Sequence, residues 1–368
     1  MQELFGSQTQ FCFFFLVKNN LLKSYLFIQF LFVHSKFIYL LIIKYLYFLF
    51  IICILKKFNI KGRFVLFQKM HDDITEVFES LKELINDDKS YREQLTLKKK
   101  QIDSDQIEDL ILGISKYKNL KSLTLNIEKH RFGSEKVYKI LQEIPSLCPN
   151  LNYLNLNLDD NLLKDIGSSK LGQALGQLFF NLTSLTLFFK KNSIQEIGSS
   201  GIGIGIGQCL NLEYLSLDFE LNIIGDSGVK GLALGLSECI NLNQLILCLD
   251  GNKIGDSGAK SLGEGISTLK NLKFLNIFMM QNKVRCKGLI GLSQGISKCT
   301  NLNSLFLHLM MNEIKYEGLG IFTRSIIKCS KLSFLFISLY MNKIEAYNLN
   351  ELRKVKKLKR LVRSFILF

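Results

Sequence analysis

The sequence predicts an α/β solenoid: one short parallel strand per unit, each joined to the next by a crossover helix. Three observations predict it. One dipeptide recurs at a near-constant interval, each interval holds a two-residue and then a four-residue apolar period, and the repeated body is almost neutral within a strongly basic chain. The dipeptide is Asn-Leu, beginning at Asn119, Asn150, Asn181, Asn211, Asn241, Asn271 and Asn301, with Lys331-Leu332 as an eighth member; the spacings are 31, 31 and thereafter 30. Alternation such as Leu215, Leu217, Phe219 marks a strand with one buried face, and Leu232 with Leu236 marks one face of a helix. Neither half can bury its apolar side alone, so stacked neighbours must supply the core.

The 368 residues are 48% apolar and 21% charged, which excludes a disordered or collagen-like chain. The formal net charge of +15 would suit nucleic acid if it were spread along the body, but it sits at the two ends. Residues 1–69 hold nine Lys/Arg against Glu3, and 343–368 hold eight against Glu345 and Glu351, leaving 30 basic and 29 acidic residues in 70–342. A phosphate-reading groove needs Lys/Arg clustered in the folded body, so no nucleic-acid partner is expected. The nine cysteines form no CxxC pair and no Cys/His ligand spacing, which argues against a metal site. An odd number without a disulfide framework fits a reducing, cytoplasmic setting.

In chain order, residues 1–69 come first and are built mostly from Phe, Leu, Ile, Lys, Tyr and Asn, with no alanine. Within them, 37–55 has Lys44 as its one charge and is long enough to span a bilayer. Three readings stay open: a membrane anchor with Lys56, Lys57, Lys61 and Arg63 on the cytoplasmic side, an apolar arm, or a spurious extension ahead of a start at Met70. Residues 70–88, with Ile74, Val77, Phe78, Leu81, Leu84 and Ile85 at helical spacing, are expected to form a capping helix. The repeats then run over 89–345 in eight to nine units of about 30 residues, the first a degraded copy at Leu95, Leu97, Ile102, Leu110 and Ile114. The tail, 346–368, carries Leu349, Leu352, Val355, Leu358 and Leu361 among seven cations and is expected to be a basic amphipathic cap. Such a helix also suits an anionic membrane or an acidic partner.

Each unit leaves its strand through an asparagine: Asn161, Asn192, Asn222, Asn252, Asn282, Asn312 and Asn342, with His130 replacing it in the first full unit. An amide offers donors and acceptors together, so it can satisfy its own buried turn and its neighbour's; these residues are expected to form a structural ladder. Cys148, Cys209, Cys239, Cys299 and Cys329, each at a helix end, are expected to be small buried fillers. Gly201, Gly203, Gly205 and Gly207 imitate a phosphate loop. They recur in register with Gly231, Gly235, Gly265, Gly291 and Gly295, which assigns them to close helix contacts instead. Asp218-Phe219-Glu220 and His130-Arg131-Phe132 echo kinase triplets without the rest of a kinase site. The four histidines are too scattered for a triad, so no catalytic residue, cofactor or small-molecule substrate is expected.

Leu-x-x-Leu-x-Leu, an Asn in the turn and then Ile-Gly-Asp-x-Gly, as in Leu242 through Gly258, resembles the ribonuclease-inhibitor-type leucine-rich repeats, also found in the sensor regions of NOD-like proteins. The resemblance implies a curved horseshoe with the parallel sheet on the concave face, helices on the convex face, and a binding role without catalysis. One departure is an inserted Leu-x per unit, seen at Leu158, Phe189, Phe219, Leu249, Met279, Leu309 and Leu339, which predicts a strand about two residues longer than the family's.

Residues between the leucines then face away from the core. Early units offer Glu128, Asp159, Asp218, Glu220 and Asp250, whereas later ones offer Phe278, Met280, Phe306, His308, Met310, Phe336 and Tyr340. Exposed apolar area and aromatic anchors mark interfaces. The expected partner is thus a protein or peptide with an apolar segment for the second set and a basic flank for the first. The competing expectation is that the chain's own tail covers these residues. The sequence is accordingly read as a non-catalytic interaction scaffold. Set beside it are a membrane-tethered receptor or adaptor, which needs 37–55 to span a membrane, and the repeat portion of a larger, for example kinase-containing, protein.

Overall fold

The computed structural model describes residues 76–78, 80–87, 91–97, 106–129, 133–178, 181–344 and 361–367. All of them belong to the second of two compact units, Met1–Ile74 and Thr75–Phe368. Segment 1–69, with its 37–55 stretch, His130 and the cationic run of the tail lie outside the described residues; among those described, no helix is long and apolar enough to cross a membrane.

Strand and helix alternate throughout. The first three pairs are β1 (Glu76–Phe78) and α1 (Leu81–Asn86), β2 (Gln94–Leu97) and α2 (Ile107–Ser115), and β3 (Ser122–Asn126) and α3 (Gly133–Leu147). Next come β4 (Tyr153–Asn157) and α4 (Lys164–Leu178), β5 (Ser184–Phe188) and α5 (Glu196–Gln208), and β6 (Tyr214–Asp218) and α6 (Gly225–Glu238). The series continues with β7 (Gln244–Cys248) and α7 (Asp256–Ile266), β8 (Phe274–Phe278) and α8 (Cys286–Ile296), β9 (Ser304–His308) and α9 (Leu319–Ile327), β10 (Phe334–Ser338) and β11 (Arg363–Leu367). The strands form one open sheet in sequence order, every pair parallel. Leucines pair with leucines across it: Leu215 opposes Leu185 and Leu245, and Leu217 opposes Leu187 and Leu247. These residues and the helix partners Leu232 and Leu236 are essentially fully buried, each contributing about 1.5–3 kcal/mol.

The strands are five residues long in the regular units, and the inserted Leu-x follows the strand end. It extends the ladder of backbone bonds past the strand end: Leu158 N–H donates to Phe188 O at 3.0 Å and Asp160 N–H to Lys190 O at 2.8 Å, with the same pair in later units. The chain then breaks away through a left-handed residue (φ 53–66° at Asp160, Lys191, Leu221, Gly251, Gln281, Met311 and Met341). For a side chain other than glycine that conformation costs about 1–2 kcal/mol, and the asparagine that follows holds it in place. Asn222 Nδ2 donates to Phe189 O of the preceding unit at 2.8 Å and to Phe219 O of its own at 3.0 Å. Its Oδ1 accepts from Asn192 N–H and Ile194 N–H at 3.1 and 2.9 Å. The backward bond recurs at Asn161, Asn192, Asn252, Asn282, Asn312 and Asn342.

Two further ladders tie units together. The Asp of an Asp-x-Gly segment at the helix start caps the next unit's helix: Asp256 Oδ1 accepts from Arg285 N–H and Gly288 N–H, and Asp165 Oδ1 from Gln195 N–H and Gly198 N–H, at 2.7–2.8 Å. Cys286 replaces that Asp in its unit, and the following helix opens as a 3₁₀ turn, Tyr316–Gly318. The cysteines at the helix ends are buried and donate back as well: Cys239 Sγ to Ile206 O at 3.4 Å, Cys299 Sγ to Ile266 O at 3.2 Å. Burial pushes the Cys148, Cys209, Cys239 and Cys299 thiols up to about 12, so they stay protonated and unreactive.

On the helical face the glycines bring backbones into contact. A Cβ on Gly235 would lie 1.7 Å from Gly203 O, one on Gly205 1.8 Å from Gly172 O, and one on Gly295 1.8 Å from Gly263 O. Gly201–Gly207 therefore sit inside α5 and form no phosphate loop.

Both ends differ from expectation. Residues 70–88 do not form a single helix. Ser80 Oγ accepts from Glu83 N–H at 3.2 Å and starts α1 afresh, leaving Glu76–Phe78 free to pair with β2 as β1. The tail ends in a strand where an amphipathic helix was expected to run on, because the edge of β10 offers unpaired backbone groups. Val362 N–H donates to Ser333 O, Leu339 N–H to Leu367 O, and Ile366 takes the register of Ile337.

Three substitutions test this construction by urea denaturation. Asn222→Leu is expected to lose about 3 kcal/mol or more, since several buried backbone groups lose their partner at once. Gly235→Ala should cost about 1–3 kcal/mol by overpacking, whereas its exposed neighbour Leu234→Ala should stay within about 0.5 kcal/mol.

Candidate functional site

The sheet face turned away from the helices carries three side-chain columns that change character along the stack. In its first half, carboxylates are held in place by backbone amides. Asp159 Oδ1 accepts from Lys190 N–H at 2.7 Å, Asp218 Oδ1 from Glu220 N–H at 2.8 Å, and Asp250 Oδ1 from Met280 N–H at 2.6 Å. Glu128 accepts from Asn157 Nδ2 at 3.2 Å, and Lys190 Nζ meets Glu220 Oε2 at 2.6 Å. The five predicted acids thus lie along one stretch, with Lys190 paired to Glu220 and Lys129 to Glu128 at 3.3 Å. Asp250 is buried and the other four are half-buried.

Burial pushes Asp159 up to about 6, reinforced by Asp218 and Glu128 and opposed by the Lys190 amide and ammonium. Asp218 is likewise raised by burial. Lys190 would be lowered by its burial, but Glu220, Asp218 and Asp159 together hold it above the ordinary lysine value. Asp218, Glu220 and Cys248 bring possible ligand atoms within 4.8 Å of one another, a trio not anticipated from sequence spacing. Burial raises the Cys248 thiol far above its usual range, and it hydrogen-bonds Asp218. With the thiol protonated, the trio is a hydrogen-bonded cluster of acid and thiol groups.

In the second half the rings stack across strands. His308 lies between Phe278 (4.1 Å between centroids) and Phe336 (4.9 Å), and Phe306 contacts Phe334 (4.7 Å), Phe274 (5.4 Å) and Phe336 (6.1 Å). This packing corrects one expectation. His308, Phe336 and Met310 are only 2%, 3% and 4% exposed, whereas Phe278, Met280, Phe306 and Tyr340 are half-buried. Of the seven predicted apolar residues, four therefore remain available to a partner. Burial pushes His308 down to about 3, which keeps it neutral at physiological pH. Phe274, Phe334 and Phe365 also join the rings and were missed from sequence. Phe274 and Phe334 stand two positions before Asn276 and Phe336, so alternation assigns them to the same face. Phe365 belongs to β11, in register with Phe336, so the last residues of the tail extend the sheet and do not cross it.

Repeated strand-turn-helix units, one open parallel sheet in chain order, an asparagine at every regular strand exit and buried leucines throughout define a leucine-rich-repeat solenoid. No protein-family model matches the chain, and no curated protein matches its sequence. Among solved structures it is similar to internalin C2 of Listeria monocytogenes, with 14% identity over 72% of this chain and 84% of that one and a TM-score of 0.32. It is also similar to a protein of Bacteroides fragilis, with 15% identity over 78% and 69% of the two chains and a TM-score of 0.39. The class assignment rests on the unit geometry and not on these likenesses.

Asp159 gives a pH test. Its folded value near 6 exceeds the unperturbed 3.8, so the folded state holds the proton more tightly. Its stabilising contribution is complete below about pH 4 and is lost as pH rises through 6. Asp159→Asn keeps the acceptor for Lys190 N–H and should flatten the stability profile between about pH 4 and 6.5 while raising stability at pH 7, as read by thermal melts.

Proposed function

We propose that the chain is a non-catalytic interaction scaffold that binds a protein or peptide partner on its inner sheet. The observation that carries this reading is the placement, on one rigid face, of half-exposed Phe278, Met280, Phe306 and Tyr340 beside the carboxylates Glu128, Asp159, Asp218, Glu220 and Asp250. A partner segment with an apolar stretch fills the first set, and its basic flank meets the second. Aromatic anchors supply most of the affinity at such surfaces, while charge complementarity governs encounter rate and selectivity. Buried His308 and Phe336 pack against Phe278 and Phe306 and help fix their positions. The buried protonated cysteines suit a reducing cytoplasmic setting. A membrane-tethered version of the same scaffold depends on 37–55, whose single charge is Lys44.

Affinity capture with the full chain, quantified by mass spectrometry, tests the proposal. Partner recovery should fall sharply with Phe306→Asp and more modestly with Glu220→Lys, with circular dichroism showing both variants folded. The Glu220→Lys deficit should shrink as salt is raised. Recovery at the wild-type level from a folded Phe306→Asp variant would refute the inner-sheet site.

A further inference from the structure

Asn276, in the middle of β8, makes no side-chain hydrogen bond among the described residues. It is only 9% exposed, and its Oδ1 is sealed from solvent without a donor. Register sets it between Ile246 of β7 and Phe306 of β9, with Phe274 and Phe278 two positions away on its own strand. All four neighbours are apolar and half-buried, and three are rings that reach farther from the backbone than an asparagine. The amide is thus the floor of a shallow apolar cup. The rings do not close over it. Phe278 stacks away onto His308 (4.1 Å between centroids), whereas Phe306 turns to Phe334 (4.7 Å) and Phe274 (5.4 Å). Among the described residues no ring contact joins Phe278 to Phe306.

A covered polar atom without a partner weakens folding. An apolar side chain would suit these walls better, as Ile246 and Phe306 do at the same position of the adjacent units. What the amide adds is a hydrogen-bonding group beneath apolar walls, where water competes poorly for it. Half a turn about its terminal bond exchanges oxygen and nitrogen, so the floor offers either an acceptor or a donor. The side chain that matches has a flat apolar body for the rings and a tip that both donates and accepts. Tyrosine combines the two.

We infer that Asn276 is a specificity-determining residue of the inner-sheet site, and that the partner's apolar segment presents a tyrosine there, its ring between Phe278 and Phe306 and its hydroxyl on the Asn276 amide. This rests on the inner-sheet reading and names the side chain that surface selects. Aromatic rings attract one another at centroid distances of about 4.5–7 Å, so a ring above Asn276, which neighbours both residues in the sheet, meets Phe278 and Phe306 together. Phenylalanine fills the same space but leaves the amide covered and unbonded, and that penalty discriminates between the two.

The test uses the full-length protein and two fluorescein-labelled peptides, each three lysines followed by leucine-tyrosine-leucine or by leucine-phenylalanine-leucine, with Kd read by anisotropy. The tyrosine peptide should bind about two- to tenfold more tightly. In Asn276→Leu the two peptides should bind equally, with a urea midpoint at or above that of the wild type, because no internal bond is lost. Phe306→Asp should weaken both peptides alike. Equal wild-type affinities that Phe306→Asp abolishes would overturn the inference and leave the inner-sheet site standing. A tyrosine preference that persists in Asn276→Leu, or a lowered urea midpoint in that variant, would overturn it as well. Failure of both peptides to bind the wild type would remove the inference together with the inner-sheet reading.

Discussion

The solenoid depends on satisfying backbone polar groups at the strand exits. A unit that bends sharply out of a buried sheet leaves amides and carbonyls with no water to meet, and each unmet group costs on the order of 1–3 kcal/mol. The asparagine amide answers this cost at every regular exit, joining one carbonyl of the preceding unit to its own turn while accepting that unit's amides. Leucine stacking supplies the larger energy, but it has no preferred register along the strand axis. The amide bonds do, and they place each strand opposite the last with leucine on leucine. The aspartate caps and thiol contacts then repeat the same register on the helical side.

That rigid register is what turns scattered side chains into a surface. Asp218 and Cys248, or Phe278 and His308, are 30 residues apart in the chain yet occupy neighbouring places in one column. Carboxylates set this closely raise one another's proton affinity, and burial does so more strongly, so Asp159 is pushed up to about 6. Rings set this closely stack, which removes His308 and Phe336 from solvent. Both effects follow from the strand spacing, not from any single side chain.

The repeat, its strand-helix order and the asparagine role were legible because identical spacing amplifies a weak local signal seven or eight times. Where copies degrade, that amplification fails. Ser364 stands where β10 has Leu335, so β11 gave no alternation to recognise, and Glu76–Phe78 was absorbed into a helical spacing that Ser80 interrupts. Side-chain direction at the inner face was legible from parity alone, whereas depth was not: whether Phe336 is open or covered depends on ring contacts between units that spacing does not encode. The acid and thiol trio stayed hidden for the same reason, since Cys248 lies 28 positions beyond Glu220 and meets it only through the sheet.

The backward reach of the asparagine bonds gives the molecule a direction of growth. Leu158 O waits for Asn192, Phe189 O for Asn222, and so on toward the C-terminus, so every completed turn is sealed by the one translated after it. A chain emerging from the ribosome can therefore settle unit by unit, each new arrival finding a finished template on its amino-terminal side. Among the described residues the turn after β10 is followed by no further asparagine-bearing unit. The short terminal strand takes that place, pairing where another asparagine-bearing unit would otherwise dock.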